Sequence, residues 1–152
     1  MHISAKADYA VRALLVMASE PEGKPITGES IALSQGMPVK FVENTLVELR
    51  RTGLVASRRG AAGGFMLGKP ATRITIADVV RAVDGPLAEV RGERPETTTY
   101  GGCVEPLQVV WIAVRASLRS VAEHVTLADI ASGELPEHVA TLASDPEAWV
   151  TR

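Results

Sequence analysis

Residues 58–70 read RRGAAGGFMLGKP, a run that gathers glycines and cations as phosphate-binding loops do. Gly63, Gly68 and Lys69 stand at the spacing of G-x-x-x-x-G-K, the loop that wraps nucleotide phosphates. That loop needs Ser or Thr next, to hold magnesium, and it lies between a buried strand and a helix. Here Pro70 takes the position, Lys69 ends a short strand, and no strand–helix–strand pattern surrounds it. The context argues against nucleotide hydrolysis. What remains is a glycine-rich tip, Gly60, Gly63 and Gly64, entered by Arg58 and Arg59. Glycine lets backbone approach phosphates, and arginine suits the narrow, electronegative minor groove of a DNA duplex.

The other reactive side chains are sparse. Cys103 is the single cysteine, which excludes an internal disulfide and any four-cysteine metal site within one subunit. It follows two glycines in a polar stretch, where exposure favours oxidation, but no cluster of cations adjoins it to lower its pKa. It reads either as a redox sensor or as an inert thiol. His2, His124 and His138 are too scattered for a metal site by local spacing, and Asp8 reads first as a solvated or capping acid. With no Ser–His–Asp ordering, paired carboxylates or metal motif, an enzyme is not expected.

A chain of 152 residues, 46% apolar along its whole length, can bury a core without staples. No early segment resembles an export signal, and no apolar run approaches the roughly 20 residues that cross a bilayer. A cytoplasmic protein without a membrane partner is expected. The net charge of −2 hides an asymmetry: residues 1–86 hold 11 Lys or Arg against 8 Asp or Glu, and residues 87–152 hold 5 against 10. Between Leu49 and Ala77 lie Arg50, Arg51, Arg58, Arg59, Lys69 and Arg73 with no acid at all. Such a stretch in a mildly acidic chain implies one anionic partner at one face.

The elements that must carry these residues follow from periodicity. Residues 3–18 suit a largely buried helix that Pro21 and Gly23 end. Two helices at about 27–35 and 38–52 flank a tight turn at Gly36, and Val39, Val42, Leu46 and Leu49 form the inner stripe of the second. Pro38 suits the first turn of that helix and Gly53 its end. Two short strands, 54–59 and 65–68, then make a hairpin directly after this helix-turn-helix. Thr75, with Asp78 three residues on, opens a fourth helix that stops at Gly85-Pro86. Residues 87–102 read as a loop. A long helix is expected over 105–125, with an apolar stripe from Leu107 to Val125 suited to a partner chain. Thr126 and Asp129 cap a short helix ending at Gly133, and the stretch after Pro136 carries little signal.

The segments ISAKADYAVRALLVMA, MPVKFVENTLVELRRTGLV and SRRGAAGGFMLGKPATRITIADVVRAVDG together resemble the bacterial Rrf-type winged-helix regulators, the family of IscR, NsrR and CymR. The likeness spans roughly residues 1–133 and is densest over 37–85. It implies a homodimeric, DNA-binding transcriptional regulator, usually a repressor, with a long dimerisation helix. By resemblance the recognition helix begins at Pro38, Lys40 and Glu43 fall at base-reading positions, and Arg59 enters the minor groove. Many members hold an iron–sulfur cluster through three cysteines. In EVRGERPETTTYGGCVEPLQVVW only Cys103 remains, the earlier positions are filled by residues such as Arg91 and Thr97, and Pro106 stands where some members place a histidine. Asp8 matches an aspartate that nitric-oxide-sensing members use as a ligand.

The expected fold is mainly α: a winged helix-turn-helix with a two-stranded β-hairpin wing and a long C-terminal dimerisation helix. The expected divisions are a DNA-binding domain at 1–86, a loop at 87–103 that is the cluster or sensor loop in relatives, the dimerisation and following helices at 104–135, and a tail at 136–152. The expected function is a homodimeric regulator of transcription, a repressor by resemblance, binding a pseudo-palindromic operator in double-stranded DNA without a cofactor. Its signal would be a small molecule, a regulatory protein or oxidation of Cys103. Two alternatives stay open: a module binding an acidic protein, and an iron–sulfur sensor whose atypical cluster is shared between subunits. The DNA contacts expected are Pro38, Lys40, Glu43, Arg50, Arg51, Arg58, Arg59, Gly60, Gly63 and Gly64, with Cys103 and Asp8 as candidate sensor residues.

Overall fold

In a computed structural model describing residues 2–151, Ser4 starts the first helix, α1 (Ala5–Ser19), by accepting the Ala7 N–H at 2.9 Å. The buried side of α1 is built from Ala7, Ala10, Ala13, Leu14 and Met17, small enough in its first turns for neighbouring helices to approach closely. Three of them do: α3 (Val39–Arg51), α4 (Ile76–Asp84) and α6 (Leu127–Ser132). Leu14, Ile31, Leu46, Leu49, Ile74 and Leu127 are fully buried at the centre of the shared core. Each such side chain contributes about 1.5–3 kcal/mol by leaving water.

The short helix α2 (Gly28–Ser34) and α3 form the helix-turn-helix. Met37, 5% exposed, plugs the turn between them. Pro38 lies one position outside the expected place: its φ of −65° is helical, but its ψ of 120° makes it the N-cap of α3 and not a residue of the first turn. Thr45, the one buried polar side chain of α3, returns its hydroxyl to the Phe41 carbonyl at 2.9 Å.

Strands β1 (Val55–Arg58) and β2 (Gly64–Leu67) pair antiparallel with Val55 opposite Leu67 and Arg58 opposite Gly64. A third rung comes from the α1–α2 connection, where Ile26 and Phe65 exchange both backbone hydrogen bonds at 2.8–2.9 Å. The wing is thereby stitched to the start of the helix-turn-helix one residue from the tip-side end of β2.

Beyond α4 the chain departs more from expectation. The long helix α5 covers Leu107–Ala122, shorter at both ends than the expected 105–125. Pro106 caps its start. Val125 leaves the helix and is buried, 5% exposed, and its carbonyl accepts the Ile76 N–H at 2.9 Å. Thr75 and Thr126, each heading a capping box with an Asp three residues on, pair as an isolated bridge. The Thr126 N–H, and then its hydroxyl, donate to the Asp129 carboxylate and hold that carboxyl below its usual range. The packed unit therefore comprises α1 to α4 together with α6, and α5 is the excursion between its parts.

The connection before α5 is ordered against it. Pro95 and Thr98 are buried, and the Gln108 side-chain amide donates to the Thr98 carbonyl at 2.5 Å. Helix α5 itself buries no residue fully and exposes Val109, Val110 and Ile112. A further helix, α7 (Glu137–Ser144), lies where the sequence carries little signal, because it too buries nothing and so needs no apolar stripe. Among the described residues no helix is long and apolar enough to cross a membrane.

Candidate nucleic-acid interface

Helix α3 turns Val42, Leu46 and Leu49 into the core, and at 100° per residue the opposite face carries Lys40, Glu43, Asn44, Val47 and Arg51. Lys40, Glu43, Asn44 and Arg51 are exposed there, and Pro38 is exposed at the N-terminus. Thirteen residues give a rod about 20 Å long, which a major groove about 12 Å wide admits. Lysine donates to guanine, and Glu43 offers an acceptor suited to the cytosine amine. Asn44 has the chemistry to read adenine through two bonds, and it escaped the sequence reading. Its position four residues after Lys40, opposite the buried stripe, is the signal that identifies it.

The wing sits beside this helix. A Cβ built on Gly28 would touch Glu43 Cγ at 3.3 Å and the Phe65 ring at 3.7 Å, so the start of α2, the first turns of α3 and the wing strand meet at one glycine. At the far end of α3 the Arg50 guanidinium donates to Ser57 Oγ at 3.3 Å, which turns Arg50 toward the wing and leaves Arg51 on the outer face. Arg58 reaches the Gly23 carbonyl at 3.5 Å, and Arg59 and Gly60 lie exposed at the tip.

The tip glycines serve the wing itself before they serve a ligand. Gly60 adopts φ +103° with open space around it, which suits a close approach to a phosphate. Gly63 and Gly64 have no such room: a Cβ on Gly63 would strike the Arg58 carbonyl, and one on Gly64 would lie 2.6 Å from the Ile26 carbonyl. Gly64→Ala is therefore expected to pry the wing from Ile26 and cost about 1–3 kcal/mol, several degrees of melting temperature. Thermal denaturation followed by circular dichroism checks this, and a melting temperature like that of the unaltered chain would show that the wing absorbs the methyl.

Lys40 and the cations between Leu49 and Ala77 share one electrostatic property. Among the described residues Lys40, Arg51, Arg59, Lys69 and Arg73 make no ion pair, and Arg50 and Arg58 reach only neutral oxygens. Elsewhere the pattern reverses. Lys6 is paired with Glu48 at 2.5 Å, Lys24 with Glu20 at 2.6 Å, Arg12 with Asp8, Arg115 with Glu96, and Arg81 and Arg119 with Glu123. The helix-turn-helix and wing thus present positive charge that no carboxylate among the described residues pairs.

The two candidate sensor residues have separate surroundings. Cys103 is exposed in a 3-10 turn, Gly102–Val104, just before α5. Asp8, on α1, holds Arg12 at 3.4 Å, and that guanidinium also bonds the Gln35 carbonyl in the helix-turn-helix turn. Arg91 lies over the Tyr100 ring, 5.8 Å from its centroid. Among the described residues no three His, Cys, Asp or Glu side chains come together as metal ligands would.

Comparison with known proteins agrees with this architecture. The Rrf2 family model, described as an iron-dependent transcriptional regulator, matches residues 3–133. A Mycobacterium tuberculosis protein provisionally described as an HTH-type transcriptional regulator is 49% identical over 95% of this chain and 90% of its own length. The HTH-type transcriptional regulator CymR of Bacillus subtilis is 32% identical over 87% of this chain and 91% of its own. The solved structure of CymR, the global cysteine regulator of that organism, superposes with a TM-score of 0.74 at 31% identity, covering 87% of this chain and 97% of CymR. IscR of T. potens gives 0.67 at 28% identity, covering all of this chain and 93% of its own. Sequence, fold and the charge on the helix-turn-helix face thus agree: the chain belongs to the Rrf2 family and is a DNA-binding transcriptional regulator built on a winged helix-turn-helix.

Proposed function

We propose that this regulator acts as a homodimer, binding a pseudo-palindromic operator in cytoplasmic double-stranded DNA and repressing transcription there without an iron–sulfur cluster. The observation that carries the reading is the run of cations over α3 and the wing that are unpaired among the described residues, while most of the other described cations are paired with carboxylates. Helix α3 supplies base contacts through Lys40, Glu43 and Asn44, the wing supplies Arg58 and Arg59, and Arg50 and Arg51 supply phosphate contacts. Helix α5, sixteen residues with none fully buried, supports the dimer: a second copy would cover Val109, Val110 and Ile112. Two heads related by a two-fold axis would meet successive major grooves about 34 Å apart.

The family description implies iron, and the donor set does not fit it. A cluster is normally held by cysteines or by cysteine and histidine, and this chain has one cysteine. Asp8 is engaged by Arg12, and the loop before α5 sets a guanidinium, Arg91, on Tyr100. The signal read is then a small molecule, a regulatory protein or the Cys103 thiol.

Selection of bound genomic fragments by anaerobically purified protein tests the reading. Iron-free protein is expected to enrich a few discrete, pseudo-palindromic sites. Its affinity is expected to fall about a thousandfold or more between 50 and 200 mM salt if six or more phosphates are contacted. Equal, weak binding to every sequence would favour a module for an acidic protein. Stoichiometric iron would favour a cluster shared between subunits.

A further inference from the structure

Four arginines converge on a cleft of about 500 Å³ on the side of α4 that faces α5. Arg81 comes from the last turn of α4, Arg94 from the loop, and Arg115 and Arg119 from successive turns of α5. Glu96 is the single carboxylate in its lining. The gathering runs against the composition of this part of the chain. Residues 87–152 contain ten acids and only five cations, and three of those five line one cleft. All five are arginine and none is lysine. Arginine presents a planar fork of donors that matches carboxylate and phosphate oxygens in pairs, where lysine offers a point charge.

The chain's own acids do not exhaust these donors. Arg81 and Arg119 share one carboxylate, Glu123, with Arg119 Nε at 2.9 Å. Arg115 takes Glu96, and Arg94 makes no ion pair among the described residues. Both carboxyls are held below their ordinary value of 4.5. Hydrogen bonds from Arg81 and then Arg119 lower Glu123, while Glu96 is lowered by its own backbone and then by Arg115. Both are therefore ionised at neutral pH, and four guanidinium groups face two negative charges. The volume lies within the range of small-molecule sites, and the surplus of two positive charges sets the sign of the occupant.

We propose that this cleft binds a small polyvalent oxyanion, an organic di- or tricarboxylate or a phosphate, and that the bound anion alters how α5 sits on α4. Only the second half rests on the DNA-binding reading. Arg81 stands on the helix whose Val79 and Val83 are buried in the DNA-binding core, and Arg115 and Arg119 stand on the helix proposed to join the subunits. Direct contact between α4 and α5 is slight. An anion bonded to both would replace the thin Arg81–Glu123–Arg119 link by a wider one. Because it binds one relative placement of the helices better than another, it shifts the heads that α4 supports.

Calorimetric titration of the full chain without DNA tests the site. The probes are succinate, citrate and inorganic phosphate, each against chloride at matched ionic strength. One saturable site per chain is expected for at least one probe, and the probe that binds separates a carboxylate ligand from a phosphate one. Arg94→Gln, which breaks no ion pair among the described residues and removes only a through-space charge on Glu96, is expected to weaken that binding at least tenfold with an unchanged melting temperature. Arg59→Ala is expected to leave it unchanged. No saturable binding, an unaffected Arg94→Gln, or loss in Arg59→Ala would each overturn the site, the last by moving the anion to the wing. The coupling is read separately: the binding anion should change operator affinity at least threefold in the unaltered protein and not in Arg94→Gln. Equal affinities with and without anion would overturn the coupling, and a protein with no operator at all would overturn the DNA reading while the anion site stands.

Discussion

Arg59→Ala is expected to weaken operator binding roughly ten- to a hundredfold while melting temperature and subunit association stay as they were. Arg59 is exposed at the wing tip and makes no hydrogen bond or ion pair with described residues, so its loss removes nothing that holds the fold. An arginine placed in a narrow minor groove meets concentrated negative potential, and a specific contact of this kind is worth about 1–3 kcal/mol. The slope of log affinity against log salt should also fall by about one. Fluorescence anisotropy with a labelled operator at several salt concentrations measures both, and an unchanged affinity would remove the wing from recognition. Arg58 is a weaker choice for the same test, because its guanidinium already reaches the Gly23 carbonyl and its removal also loses that contact.

The second large effect concerns the far end of the chain. Leu127→Ala is expected to destabilise the protein by about 2–5 kcal/mol, the cost of a cavity at a fully buried leucine. Against a total stability of about 5–15 kcal/mol, that is a large part. The reason is positional. Leu127 belongs to α6, which packs on α1, and its N–H donates to the Ile74 carbonyl at 2.9 Å beside the Val125–Ile76 bond. A fragment ending at residue 86 loses Val125, Leu127 and both bonds, and it should unfold at lower urea than the whole chain. Urea denaturation of the variant and the fragment checks this. A fragment as stable as the full chain would show that α6 adds nothing to the DNA-binding unit.

Such a dependence would couple recognition to the proposed dimer. Helix α5 leaves the core after α4 and must return through Val125 so that α6 can close that core. Whatever moves α5, a partner subunit or an anion in the arginine cleft, pulls on both ends of an excursion anchored in the DNA-binding unit.

Much of this was readable from local pattern. The inner stripe Val42, Leu46 and Leu49 specifies a helix because its period matches 3.6 residues. Thr75 with Asp78 and Thr126 with Asp129 specify two helix starts because each cap needs only residues three apart. The glycine-rich tip between two short apolar runs specifies a hairpin for the same local reason. Other features were hidden. The stripe of α5 cannot say whether Val125 continues the helix or leaves it, since an apolar residue four positions after Val121 satisfies both. Nor does a single isoleucine in a connection announce that it will pair with Phe65 across the wing.

The amino-acid sequence by itself determined the helix-turn-helix, the wing, the concentration of cations upon them and the poverty of thiols that argues against a cluster, because each depends on residue type and near spacing. Tertiary structure alone decided three things. It placed α6 in the core of the DNA-binding unit, spent Gly64 on a close approach to the Ile26 backbone, and brought Arg81 together with Arg94, Arg115 and Arg119. These juxtapositions join residues tens of positions apart. They arise from the burial of a shared core, which no local period encodes.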